Sequence, residues 1–217
     1  MQDPQTSVVF DAYPKVSLQE FVPELAFEFN EMPSDAFPHF LLRAINRFAR
    51  NSNALRRTAT IFAQPCVENY LLEPQDCMDI VAVLSVCQTS HCICSSPVVR
   101  VTSEPCRLPC GTYSWFEEPN VIHFSPVKCK DVFKVTMSVA PTYDACEVDS
   151  VLLTTFYDVI MDGTKFYLYS MASKPWSSVN RAQESEARFI QGIRTASVQA
   201  MMNGQRGALR AKRPRVL

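Results

Sequence analysis

The chain has 217 residues, 47% of them apolar and 20% charged, with a formal charge of −1; this fits a globular protein and excludes general disorder. A chain of this length buries roughly 70% of its unfolded surface, enough for one or two compact units. The near-neutral total hides an asymmetry. Residues 204–217 hold Arg206, Arg210, Lys212, Arg213 and Arg215 and no acid, which puts +5 on the tail and −6 on the 203 residues before it. A basic tail on an acidic body calls for a partner for the tail.

Met1 to Lys15 contains two acids and no uninterrupted apolar core, unlike an export signal. No run of about 18 apolar residues occurs, so no membrane span is expected. Nine cysteines is an odd number, and without an export signal they read as mostly reduced thiols of a cytoplasmic product, several serving as small core residues.

In chain order, residues 1–33 read as an N-terminal arm. Ser17 with Glu20 forms a capping-box pattern before a short helix from Leu18, kept short by Pro23 and Pro33. Asp35 is placed to cap a helix over about 35–50, with Phe37, Phe40, Leu41, Ala44, Ile45 and Phe48 on one face. The other face carries Arg43, Arg47 and Arg50, and Arg56 and Arg57 follow. It reads either as a solvated basic face or as a contact for nucleic acid or a neighbouring subunit.

From Thr58 the pattern changes. The stretches 58–63, 67–72, 79–87, 98–102, 113–116, 121–124 and 132–139 are short, β-branched or aromatic, and punctuated by Pro, Asn, Asp or Ser, as strands are. Val135, Met137 and Val139 alternate with Thr136, Ser138 and Ala140, the period of a half-buried strand.

Helical signals return after residue 144. Val151 to Met161 is too apolar for a lone surface helix, and Asp162-Gly163 is expected to end it. A second apolar segment over about 164–173 stops before Pro175. From Val179 onward, Val179, Ala182, Phe189, Ile193, Ala196 and Ala200 keep a three-four spacing interrupted at Glu186, one face of a helix over about 178–202. Asn203-Gly204 is a helix stop, and residues 204–217 are expected to form an extended basic C-terminal tail. The predicted class is α+β: a helical bundle (34–57 and 145–203, with helices near 35–50, 147–162, 164–173 and 178–202) carrying a β-rich domain, 58–144, inserted after the first long helix.

Chemical signals are sparse. His91, Cys92, Cys94, Cys106 and Cys110 cluster, but their Cys-x-Cys and Cys-x-x-x-Cys spacings are not the usual zinc knuckle; free thiols, a local disulfide and a structural zinc all stay open, and no metal or other cofactor is expected. A cysteine nucleophile paired with His39, His91 or His123 lacks any local sign of an oriented base, and His123, between Ile122 and Phe124, is expected to face out of a strand. Five glycines are scattered at 111, 163, 192, 204 and 207, with no phosphate loop. Asp149, Asp158 and Asp162 sit at helix edges, where capping and solvation account for them. The chain is therefore not expected to be an enzyme. Trp176 reads either as a plug in the turn before the last helix, its N–H partnered, or as an exposed interface anchor. Phe40, Ile45, Phe48, Phe156, Gly163, Pro175, Phe189 and Ile193 read as structural.

The order of these parts carries a resemblance. An Arg-rich helix around Phe40-Leu41-Leu42-Arg43-Ala44-Ile45-Asn46-Arg47-Phe48 leads into Arg57-Thr58, and Asn69-Tyr70-Leu71-Leu72-Glu73-Pro74 closes a strand. An apolar helix reaches Asp162-Gly163, Ser173-Lys174-Pro175-Trp176-Ser177 follows, and the last helix holds Ala182, Phe189 and Ala196. From about Phe37 to Met202 the chain resembles the head-to-tail adaptor (head completion, or neck connector) proteins of tailed bacteriophages, in a podovirus-like form. The resemblance implies a virion protein of the neck or tail, assembled in the host cytoplasm as a ring of about twelve copies. Such a ring joins the portal protein to a downstream tail or nozzle protein and extends the DNA channel, with DNA passing through without sequence-specific binding. It also implies that the C-terminal segment, here Arg206, Arg210, Lys212, Arg213, Arg215, Val216 and Leu217, meets the portal. The alternatives are a neck stopper or tail-completion ring and, in a different class, a small nucleic-acid-binding regulator using Arg43, Arg47, Arg50 and the tail.

Overall fold

The structure, a computed structural model, describes residues 8–64, 67–74, 77–89, 95–97, 99–100, 114–118, 120–124 and 131–204. It is mixed α+β. The strands are β1 (Val8–Phe10), β2 (Lys15–Ser17), β3 (Arg56–Ala63), β4 (Asn69–Leu71), β5 (Met78–Thr89), β6 (Ser95–Pro97), β7 (Val99–Arg100), β8 (Ser114–Glu118), β9 (Val121–Phe124), β10 (Asp131–Pro141) and β11 (Glu147–Asp149). The helices are α1 (Val22–Glu28), α2 (Phe37–Ser52), α3 (Ser150–Thr154), α4 (Tyr157–Tyr169) and α5 (Val179–Gly204).

An antiparallel sheet of order β1-β3-β10-β5-β6 is the largest, with β10 at its centre. Along β10 the alternation holds from Phe133 to Met137, after which Ser138, Val139 and Ala140 are all buried. Register shifts against β5 at Thr136/Met137 and Ser138/Val139 accompany that change, as bulges re-aim side chains. A second sheet, β4-β9-β8-β7, is antiparallel except for its β7–β8 pair. A ring contact joins the two sheets: Phe124 of β9 stacks on Phe133 of β10 with centroids 4.5 Å apart, while within the second sheet Tyr70 of β4 meets Phe124 edge-on at 5.7 Å. His123 stands between buried Ile122 and Phe124, as the alternation requires.

Helix α2 packs against β10, α4 and α5. Its apolar stripe is buried at Phe37, Leu41, Ala44, Ile45 and Phe48, with Phe40 half-buried. Asn53, with φ of 52°, ends it in the left-handed region, which asparagine enters more readily than most residues. Asp35 does not cap it: the N-cap is Ala36, without a side-chain bond, and Asp35 lies in a 3-10 turn over Ser34–Ala36. Ser17 caps the 3-10 turn before α1 by accepting from the Gln19 N–H at 3.3 Å.

The C-terminal helices differ most from expectation. The segment 147–149 is a strand paired with β2 rather than the start of a helix, and the apolar run breaks at Thr155-Phe156 instead of Gly163. Gly163 lies inside α4. A Cβ built there would stand 2.7 Å from the Phe189 ring, and one at Gly192 of α5 would stand 2.6 Å from Val159. The two glycines let α4 and α5 approach closely, so Gly163 is a packing residue rather than a stop. On α5, Ala182, Phe189, Ile193, Ala196 and Ala200 are buried, while Val179 is 71% exposed. Ser185, 1% exposed, completes the stripe where Glu186 had appeared to interrupt it. One hydrophobic cluster runs from α1 and α2 through the strands to α5.

Candidate functional site

The arginines of α2 are engaged within the chain. Arg43 lies 4.4 Å over the Tyr167 ring. Arg47 stands 5.6 Å from both the Phe166 and Phe189 rings and 3.4 Å from Glu186 Oε1. Arg50 donates to Asn46 Oδ1 at 2.7 Å and to Asp79 at 2.9 Å, while Asn46 Nδ2 donates to the Pro141 carbonyl at 2.7 Å. This chain of bonds fastens α2 to β10 and β5. Arg43 and Arg50 remain exposed, whereas Arg47 is half-buried.

Arg57, the second residue of β3, is 8% exposed. It donates from Nη2 to Asp149, itself 3% exposed, and its guanidinium lies 3.9 Å over the Tyr13 ring. Asp149 is therefore a buried ion-pair partner and not a solvated helix-edge carboxylate, as its position had implied. Around this pair lies an open cavity of about 350 Å³, lined by Tyr13, Pro14, Ala54, Leu55, Arg56 and Val151 with the pair itself and Ser150. Arg56 reaches from its rim to the Ala200 carbonyl of α5 at 2.6 Å, a cation placed near the negative end of that helix.

A second polar cluster joins α1 to α4. Lys165 Nζ lies 3.1 Å from Glu24 and 2.8 Å from Glu28; Tyr157 donates to Glu24 at 2.9 Å and Tyr169 donates to Glu28. Burial pushes Glu28 up, but the bonds from Lys165 and Tyr169 outweigh it and hold its carboxyl below the ordinary value. Burial pulls Lys165 down, and its two glutamates more than reverse that. Burial, reinforced by Glu24, pushes Tyr157 up to about 12, and burial with Glu28 raises Tyr169. The rings of Phe21 and Phe29 pack on these tyrosines at 5.6 and 5.0 Å. The cluster acts as a clasp. Sequence reasoning missed it, although Glu24 and Glu28 stand one helical turn apart.

Trp176 is half-buried against the core, and its indole Nε1 is buried without a hydrogen-bond partner among the described residues; the expected partnered N–H is not found. Pro175 is exposed in the same turn, where Ser173 has φ of 59° and the Ser178 N–H returns to the Tyr169 carbonyl at 3.1 Å. Phe156 is half-buried against Phe48, with centroids 4.9 Å apart.

Among the described residues no group of three or more His, Cys, Asp or Glu side chains is placed to hold a metal ion. His91, Cys92, Cys94, Cys106 and Cys110 lie outside the described residues, as do Arg206, Arg210, Lys212, Arg213, Arg215, Val216 and Leu217. The described cysteines Cys77, Cys87 and Cys146 are free thiols, exposed or half-buried, so none of these three is the small core residue expected. His123 Nδ1 and Asn69 Oδ1 are 2.6 Å apart across β9 and β4. No described helix is long and apolar enough to cross a membrane. No protein-family model matches the chain, and no curated protein matches it either.

Proposed function

We propose that the chain is a structural virion protein: an adaptor that assembles as a ring between the portal vertex of a phage head and its tail and extends the DNA channel. The observation that carries this reading is the order of parts. An arginine-bearing α2 enters a run of strands, an apolar α4 follows, and the Ser173–Ser177 turn leads into a 26-residue α5 with a basic tail behind it. In this reading the bundle of α2 and α3 to α5 is the rigid wedge of each subunit, and residues 58–144 are an inserted β-rich unit. Close packing of α4 on α5 at Gly163 and Gly192 supports a wedge of that kind.

The ring would hold about twelve copies, closed by one heterologous contact repeated around an axis. Arg206, Arg210, Lys212, Arg213 and Arg215 would pair with acidic portal surface. Val216 and Leu217 would add apolar contact, and ring multiplicity would turn a weak single contact into a durable joint. A downstream tail or nozzle protein would dock on the opposite end, with DNA passing through unread. Engagement of Arg43, Arg47 and Arg50 by the chain's own rings and carboxylates favours this over a nucleic-acid-binding regulator, which would need such cations for phosphates.

The test mixes purified protein with portal rings of the same virus and examines class averages by electron microscopy. An added ring beneath the portal is expected, and a protein lacking Gly207–Leu217 should keep its helix content and lose that ring. Salt-sensitive binding to duplex DNA by a monomer or dimer, with no portal association, would overturn the proposal. Binding to tail parts alone would move the protein to the stopper position.

A further inference from the structure

We propose that the cavity bounded by Tyr13, Leu55, Arg56, Arg57, Asp149 and Val151 is the seat of the chain's own C-terminal segment, with Val216 and Leu217 entering it. The first argument is where the chain leaves the body. Arg56 lines the cavity and also holds the Ala200 carbonyl, one turn from the end of α5 at Gly204. Thirteen residues follow Gly204, and extended they span about 43–47 Å. A cavity beside the helix end is well within that reach, and folding back costs only a modest loop-closure entropy.

The second argument is chemical. Arg57 is committed to Asp149 and the Tyr13 ring, and Arg56 to the carbonyls of Ala200 and Asn53. Neither guanidinium is left to select a charged ligand, so recognition falls to the apolar lining. Tyr13 and Val151 are each 37% exposed there, and covering such surface is favourable. Beyond Leu209 the tail offers Val216-Leu217 as its bulky apolar pair. Its five cations would remain outside, on a body of charge −6, with exposed Asp11 and Glu147 each two residues from the lining residues Tyr13 and Asp149.

The seat does not depend on the portal reading. Any outside partner for Val216 and Leu217 would compete with it, which makes it an intrachain brake on the tail.

The experiment uses no portal. Hydrogen exchange is followed at the amides of Leu55–Arg57 and Ser150–Leu152 in the full chain, in a chain ending at Gly204, and in the variant Val216→Asp with Leu217→Asp, whose changes leave the body intact. Faster exchange at both stretches in the two altered chains is expected. In parallel, trypsin should cut after Lys212 and Arg215 at least about fivefold faster when Val151→Asp spoils the rim, since cleavage reads the undocked fraction. Equal exchange in all three chains overturns the proposal, as does protection that appears only when protein concentration is raised, because the tail would then come from a neighbouring copy.

Discussion

The ring of Phe189 lies so close over Gly163 that a methyl group on the glycine would stand 2.7 Å from its Cε2 atom. Phe189 is fully buried and cannot swing aside without moving its neighbours. Gly163→Ala gains about 1 kcal/mol of helix propensity, but the overlap costs about 1–3 kcal/mol. We expect a net loss of stability, read as a lower urea midpoint. Gly192→Ala faces half-buried Val159 and should lose less. A raised midpoint for Gly163→Ala would show that the two helices separate freely.

The Arg57–Asp149 pair predicts a cycle. Removing one partner strands a buried charge, so Asp149→Ala should cost about 3–5 kcal/mol. Replacing both, Arg57→Met with Asp149→Leu, should cost less than Asp149→Ala alone, because no uncompensated charge remains. Denaturant unfolding of the single and double variants measures this, and strictly additive losses would contradict the coupling.

The clasp between α1 and α4 predicts a weakness at alkaline pH. Tyr157, Tyr169 and Lys165 all have folded values above their ordinary 10.0, 10.0 and 10.5, with Tyr157 pushed to about 12. Groups raised on folding contribute stability that is whole below the unfolded value and lost as pH rises through the folded one. Melting temperature should therefore fall between about pH 10 and 12, and Tyr157→Phe with Tyr169→Phe should flatten that fall. Glu28, held below 4.5, contributes stability above that value that is lost in acid. Burial raises Asp162 despite Arg188, so its penalty is absent in acid and grows as pH rises through its folded value.

Trp176 separates shape from hydrogen bonding. Its indole N–H is buried without a partner among the described residues, so Trp176→Phe gives up no bond and should change stability by less than about 1 kcal/mol. Trp176→Ala removes the half-buried ring and should cost about 1.5–3 kcal/mol. Thermal melts of both variants decide this. A large loss with Phe would mean that the N–H does have a partner.

Much of the secondary structure was legible because it is periodic. Seven predicted strands each overlap an observed one, and the stripes of α2 and α5 follow the three-four spacing. The three-residue strands β1, β2, β6 and β11 were not legible; β4 is as short and β7 shorter, but those two lie inside the longer β-branched or aromatic stretches 67–72 and 98–102. Of the candidate site residues, the chain order showed the arginines and Trp176 but not what each touches.

Local patterns were readable along the chain: where β10 alternates, which face of α2 is apolar, and where the charge of the tail sits. Periodicity and composition act over neighbouring residues, so they can be read there. Long-range packing makes Gly163 a seat for Phe189, brings Asp149 to Arg57 across 92 positions, and brings Lys165 to Glu24 across 141. A glycine has the same local signature whether it ends a helix or admits a ring, and a carboxylate the same whether it is solvated or buried. The distinction lies in the atoms that the folded chain brings against it.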